Sequence, residues 1–496
     1  MCPGDGQPDT YTLRLFPISA GLHRSVSAGS RNHGRYSRYG PSPGERRTMA
    51  SKAQIQTVKA DFLDPSLYDD AGLSGVPRLS RGTILAALSR AFDLAEGRRP
   101  GHAQRVAYIG VFLASELGLE AQRVEDVFFG CLLHDIGMAA SSQPPKMDGS
   151  RGSRIISGRS GAADVLSQVP PGGWTQVVAA IAQHCDLGSK IVRKMGFGEP
   201  VARAVASHHD CWDGSGRPGA QPGDRAPIVA RIVALSDRVE SMIDAEGSPL
   251  LVRRRGPALV KEMGGSEIDP ELAGKMAEIA ERDDFWLGFY DNDLPAALMS
   301  LNYGGMMNRD ELFDFLGVMS DVVDGRNGRE QGRGRRVAEL ARRVALTCDM
   351  TERRADLVRV AALLQDVGTL GVPAHFLSKP DILSVDEMAS VQLHPVYARD
   401  ILSEIPGLGA AAWWVGCHHE RIDGKGYPGM LEGAEVPAEA QIIGMSEAFD
   451  ALTSDRPYRR AMSQADAVEV MRGLAGTRFD PYLLARFESV AYPFEA

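Results

Sequence analysis

The chain has 496 residues, 44% hydrophobic and 24% charged, which is the composition of folded protein and enough length for two to four domains. A net charge of −9 gives no general attraction to nucleic acid or anionic membrane, and no apolar run reaches the roughly 18 residues that a membrane helix needs. Cys2, Cys131, Cys185, Cys211, Cys348 and Cys417 form no C-x-x-C pair, and no charged start followed by an apolar core opens the chain, so a reducing, cytoplasmic location without disulfides is expected.

Residues 1–50 are rich in Gly, Ser, Arg and Pro and lack apolar periodicity, so they are expected to be a disordered extension. The Arg-rich stretch from Arg24 to Arg47 admits a transit-peptide reading. A start at Met49, where MASKAQ opens ordinary sequence, is the simpler account. Residues 51–80 are too short for a sensor domain. From about residue 80, segments such as ILAALSRAFDLAE and RVAYIGVFLASELG place apolar residues at helical spacing, and strand alternation is scarce. The fold class predicted is all-α.

The chain then repeats itself. RVAYIGVFLASELGL…VEDVFFGCLLHDIG (105–137) matches RVAELARRVALTCDM…RADLVRVAALLQDVG (336–368). SHHDCWDGSGRPG (207–219) matches CHHERIDGKGYPG (417–429), IVARIVALSDRVESM (228–242) matches EAQIIGMSEAFDALT (439–453), and GGSEIDPEL (264–272) matches AGTRFDPYL (475–483). The offset falls from 231 to about 210, which puts about 21 extra residues after Met138. Copies of this size are duplicated domains rather than solenoid repeats. Copy one is expected over 80–300 and copy two over 325–492, with a seam near 300–325.

Copy one carries His102, His134, Asp135, His184, His208, His209 and Asp237. Imidazole and carboxylate together suit Fe, Mn or Zn better than Ca or Mg. Two adjacent pairs, His134–Asp135 and His208–His209, are expected on helices, where neighbours point about 100° apart and can reach a metal from different sides. Two divalent transition ions about 3.5–4 Å apart would bind a phosphate and lower the pKa of a shared water toward about 7. Each of these residues alone has an ordinary reading as a core or surface side chain; the set at this spacing points to a site.

Copy two also contains LLQDVGTLGVP, LHPVYARDIL, HHERIDGKGYPG and FDALTSDRPYR. With these segments the chain resembles the HD-GYP family of bacterial phosphodiesterases, over about 333–492 in copy two and, more weakly, about 82–285 in copy one. The resemblance implies two tandem HD-type helical bundles and hydrolysis of a cyclic dinucleotide, cyclic di-GMP, at a metal centre. It implies that Asp135, with His134 the catalytic pair, bridges two metals. His102, His134 and Asp237 would complete one, and His184, His208 and His209 the other. Copy one departs from the family pattern at Met138, in place of a Lys, at Arg217, in place of the GYP tyrosine, and at Arg98, in place of a Glu, which argues against a third metal. Arg217 is the candidate phosphate ligand.

Copy two is degenerate in the other direction. Gln365 replaces the motif His and Arg333 stands in the place of His102, while Asp366, His394, His418, His419, Tyr427 and Asp450 remain. Glutamine is a poor ligand for these metals, and an arginine is expected to repel them. Copy one is therefore expected to catalyse and copy two to regulate. The alternatives are a general HD phosphohydrolase for another nucleotide, and an inactive module that binds nucleotide or signalling-protein partners. No nucleic-acid or membrane partner is expected.

Overall fold

The computed structural model describes residues 77–141, 173–214, 222–455 and 459–491. The extension 1–50, Arg217 and part of the SDRPYR segment lie outside these residues. All named elements among the described residues are helices, joined only by four isolated bridges. No described helix is long and apolar enough to cross a membrane.

In copy one the helices are α1 (Arg81–Ala95), α2 (His102–Glu116), α3 (Ala121–Leu133), α4 (Ile136–Ala139), α5 (Gly173–Lys194), α6 (Glu199–Ser207) and α7 (Ile228–Glu246). Four further helices follow: α8 (Pro249–Met263), α9 (Pro270–Ile279), α10 (Asp283–Phe289) and α11 (Leu294–Ser300). Then come α12 (Arg309–Arg326), α13 (Arg333–Thr347), α14 (Glu352–Leu364), a 3-10 turn (Val367–Gly371), α15 (Ala374–Leu377) and α16 (Val385–Val391). The chain closes with α17 (His394–Leu402), α18 (Gly409–Gly416), α19 (Ala438–Thr453), α20 (Gln464–Arg472) and α21 (Pro481–Ala491).

Local chemistry sets several of these ends. Ser80 caps α1 by accepting from the backbone N–H of Thr83 at 3.0 Å, and Asn308 with Glu311 forms a capping box at the start of α12. Helix α2 starts behind Gly101, whose φ of +89° favours a residue without a side chain, and α13 starts behind Gly332 at +85°. The core of copy one is apolar and closely packed: Ile84, Leu85, Val106, Ile109, Leu113, Phe128, Leu132 and Leu235 are all buried.

The seam is itself part of copy two. Oδ1 of Asp93 near the end of α1 accepts from the N–H of Ala103 at 3.1 Å, and Oδ2 of Asp324 near the end of α12 accepts from the N–H of Gly334 at 3.0 Å. These pairs share the offset of 231, so α12 is the counterpart of α1, and copy two begins near residue 308 rather than 325. No motif residue lies on α12, which is why its kinship is unreadable in sequence.

The first helix of each copy packs within its own copy and also reaches the other. Helix α1 packs on the 3-10 turn 367–371 and on α17 of copy two, while α12 packs on α4 and α5 of copy one. Arg90 pairs with Glu404 across this contact. The buried guanidinium of Arg326 donates to the carbonyls of Ala95 at 3.0 Å and Ser141 at 3.1 Å.

Candidate metal centre

The His134–Asp135 pair sits at a helix end, not within a helix. His134 caps α3 and Asp135 falls in the turn before α4. His208 likewise caps α6, with His209 in the turn beyond. The turn frees each second residue from its helix, so the two side chains face different groups. Gly137 lets this happen: a Cβ there would stand 1.9 Å from the carbonyl oxygen of His184, and one at Gly368 of copy two 2.0 Å from that of His394. In both copies the glycine after the motif Asp lets the helix with the next histidine approach.

All seven candidates of copy one are buried and converge. Oδ2 of Asp135 lies 3.1 Å from Nε2 of His134, while its Oδ1 lies 3.1 Å from Nε2 of His208 and 3.5 Å from Nε2 of His184. Oδ1 of Asp237 lies 3.5 Å from Nε2 of His102 and 3.8 Å from Nε2 of His134. Asp135 thus stands between two groups, His102–His134–Asp237 and His184–His208–His209. The ring of His209 is 3.9 Å from that of His208 and 5.1 Å from that of His184.

The far side of these rings is fixed by the protein. Nδ1–H donates to a backbone carbonyl from His134 (Cys131, 2.7 Å) and from His208 (Val205, 2.8 Å), and to Oε2 of Glu240 from His102 at 2.5 Å. Such bonds set the tautomer and leave Nε2 with a lone pair facing inward. Nε2 of His102, His134 and His209 and Oδ2 of Asp237 are buried without a hydrogen-bond partner. Buried polar atoms are otherwise almost always paired, so this donor set fits divalent transition metals.

Charge shapes the site further. Burial and Arg98 pull the His102 imidazole down, but Glu240 and Asp237 outweigh them and raise it to about 9, so these carboxylates favour positive charge at the ring, a proton or a metal ion in its place. Burial, then His208 and His184, hold His209 well below its ordinary value, in the neutral form that ligates metal. Arg98 reaches the site, with Nη2 3.7 Å from Asp237.

Three residues of copy one were not singled out in sequence. Cys185 joins His184, His208 and His209 within 4.8 Å. Glu96 lies against Asp135, and burial first and the Asp135 charge second push its carboxyl well above the usual range. Glu240 orients His102. Of these, only Cys185, adjacent to His184, had a signal in the sequence.

In copy two the same cradle holds different chemistry. Ser236 and Ser446 each bond the carbonyl four residues back, and Arg105 and Arg336 bond Glu240 and Asp450 respectively. This register pairs Asp237 with Glu447, and Glu240 with Asp450. Glu447, not Asp450, is therefore the counterpart of Asp237; in sequence the nearer aspartate attracted the match. Arg333 is drawn into the carboxylates, with Nη1 3.1 Å from Asp366 and Nη2 2.8 Å from Glu447. Gln365 has both side-chain polar atoms buried and unpartnered. His394, His418 and His419 lie together, and the ring of Tyr427 stacks on His419 at 4.8 Å. Burial, then His418, pulls His394 down to about 4.

The comparisons agree with this architecture. One HD-domain family model matches residues 99–242 and another matches 317–483. The chain is 27% identical over 435 residues to 3'3'-cGAMP-specific phosphodiesterase 3 of Vibrio cholerae, covering 81% of this chain and 92% of that protein. It is 33% identical over 168 residues to a cyclic di-GMP phosphodiesterase response regulator of Xanthomonas campestris, covering 34% of this chain and 44% of that protein. A crystal structure of a cyclic GMP-AMP-specific phosphodiesterase of V. cholerae matches the fold with a TM-score of 0.58 at 24% identity, over 84% of this chain and 98% of that one.

Proposed function

Since the chain belongs to the HD-GYP family of metal-dependent phosphohydrolases, we propose that copy one hydrolyses a phosphodiester of a cyclic dinucleotide and that copy two does not. The observation that carries this is the double aspect of Asp135, with Oδ2 toward His134 and Oδ1 toward His184 and His208. Two divalent cations held by the two groups would polarise the phosphate and acidify a shared water. The chain's own residues do the rest. Asp135 would be shared between the groups. Cys131, Val205 and Glu240 hold the ring N–H groups so that the lone pairs face the site. Arg98 balances the charge of Asp237 and lies 3.3 Å from Glu96. Arg217, outside the described residues, is the candidate phosphate ligand.

Cyclic di-GMP is the substrate we expect from the linear motifs of copy two. A second reading, 3'3'-cGAMP, is favoured by the V. cholerae relative, whose similarity extends over too much of the chain to fall within one copy. The experiment is turnover of each dinucleotide by the metal-loaded chain and by Asp135→Ala, with metal content measured in parallel. Hydrolysis lost with metal in Asp135→Ala supports the assignment; wild-type turnover by that variant overturns it.

A further inference from the structure

Copy two contains a built-in cation. Arg333 follows a left-handed glycine just as His102 does, and its side chain is 5% exposed. Its guanidinium donates to Oδ2 of Asp366 and Oε1 of Glu447, and its Nε lies 3.5 Å from Asp450. Those three carboxylates correspond to Asp135, Asp237 and Glu240, the carboxylates around His102 and His134 in copy one. Arg329 adds a second guanidinium on Oδ2 of Asp366. The Oδ2 side of Asp366 is thus taken by N–H donors, and Gln365 offers no imidazole there.

The Oδ1 side of Asp366 is built differently. Nδ1 of His394 lies 2.8 Å from the carbonyl of Val391, and Nδ1 of His418 lies 2.5 Å from that of Val415. A carbonyl only accepts, so both Nδ1 atoms carry the proton and both Nε2 atoms present lone pairs. These two Nε2 atoms face each other at 3.3 Å, and Oδ1 of Asp366 lies 3.8 Å from Nε2 of His394. A ring nitrogen of His419 falls within 4.8 Å of those of His394 and His418. Lone pairs that converge so closely repel unless a cation lies among them. Three imidazoles and a carboxylate suit a divalent transition metal.

We propose that copy two is a one-metal centre, in which His394, His418, His419 and Oδ1 of Asp366 hold a single divalent transition ion and the Arg333 guanidinium stands in for a second cation. The whole chain then binds three ions. The two assigned to copy one rest on the reading above, whereas the change between variants does not. The test is metal per full-length chain, by mass spectrometry of elements, after loading with Mn(II), Fe(II) or Zn(II). His418→Gln lowers the count by one. Asp135→Ala lowers the count while one ion remains. Arg333→His combined with Gln365→His raises the count by one, a gain that misfolding cannot mimic. An unchanged count in His418→Gln, meaning that the imidazoles share only a proton, overturns the proposal. So does an unchanged count in the double variant. A full count in Asp135→Ala beside a reduced one in His418→Gln sinks the copy-one reading alone.

Discussion

Glu240 and His102 are joined by a 2.5 Å hydrogen bond from Nδ1–H to Oε2, and the other oxygen of the same carboxylate takes Nε–H of Arg105 at 2.7 Å. Glu240 fixes which nitrogen of His102 faces the site. Glu240→Gln keeps the shape and removes the charge. It should weaken metal binding about 10- to 100-fold, the usual effect of losing such a partner. Metal titration of the chelator-treated chain reads this directly, and unchanged affinity would show that His102 needs no orienting carboxylate.

Gly137 gives a steric prediction. A methyl group there meets the carbonyl oxygen of His184 at 1.9 Å, and a backbone atom cannot rotate away. Gly137→Ala should destabilise the chain by about 1–3 kcal/mol or more, as overpacking does, and shift the helix that carries His184. Chemical denaturation combined with metal content checks both effects. Native stability would mean that α5 can retreat without cost.

Arg326 gives an energetic one. Its guanidinium is buried and donates to the carbonyls of Ala95 and Ser141 of copy one. Arg326→Ala leaves both acceptors without this partner and should cost roughly 1–3 kcal/mol. The loss should appear in denaturant midpoints, because the bonds join α12 of copy two to copy one. A midpoint within error of the parent would show that water replaces both bonds.

The equivalence of α12 and α1 also decides how copy two should be isolated. A fragment beginning at 320 would cut α12, whereas one covering 305–496 keeps the helix and its capping box whole. That longer fragment should not hydrolyse cyclic di-GMP or 3'3'-cGAMP with added Mn(II) or Fe(II), since Arg333 and Gln365 occupy one half of its site. Robust turnover from it would move catalysis out of copy one.

Much of this site is legible in the chain because its ligands come in local pairs. His134–Asp135 and His208–His209 are each adjacent, and their residue types alone announce metal chemistry. The repeat, the all-helical class and the loss of imidazoles at Gln365 and Arg333 are equally local facts. The placement of the pairs was less legible: sequence periodicity suggested helices, while the structure puts both pairs at helix ends, where a turn lets the second side chain face away from the first.

What only the tertiary structure decided are the meetings between residues far apart in the chain. Arg333 was expected to repel metal; packing instead places it between Asp366 and Glu447, so its charge is neutralised by the carboxylates that would otherwise need a metal. Glu447 was passed over for Asp450, because a match of letters cannot see which turn of α19 faces the site. Glu96, Glu240 and the kinship of α12 with α1 were silent for the same reason. The sequence by itself determined the kinds of donor and their local pairing, which chain adjacency imposes. Which acid faces which base depends on how separate helices pack, and that is settled by close contact of buried surfaces that no short stretch of sequence contains.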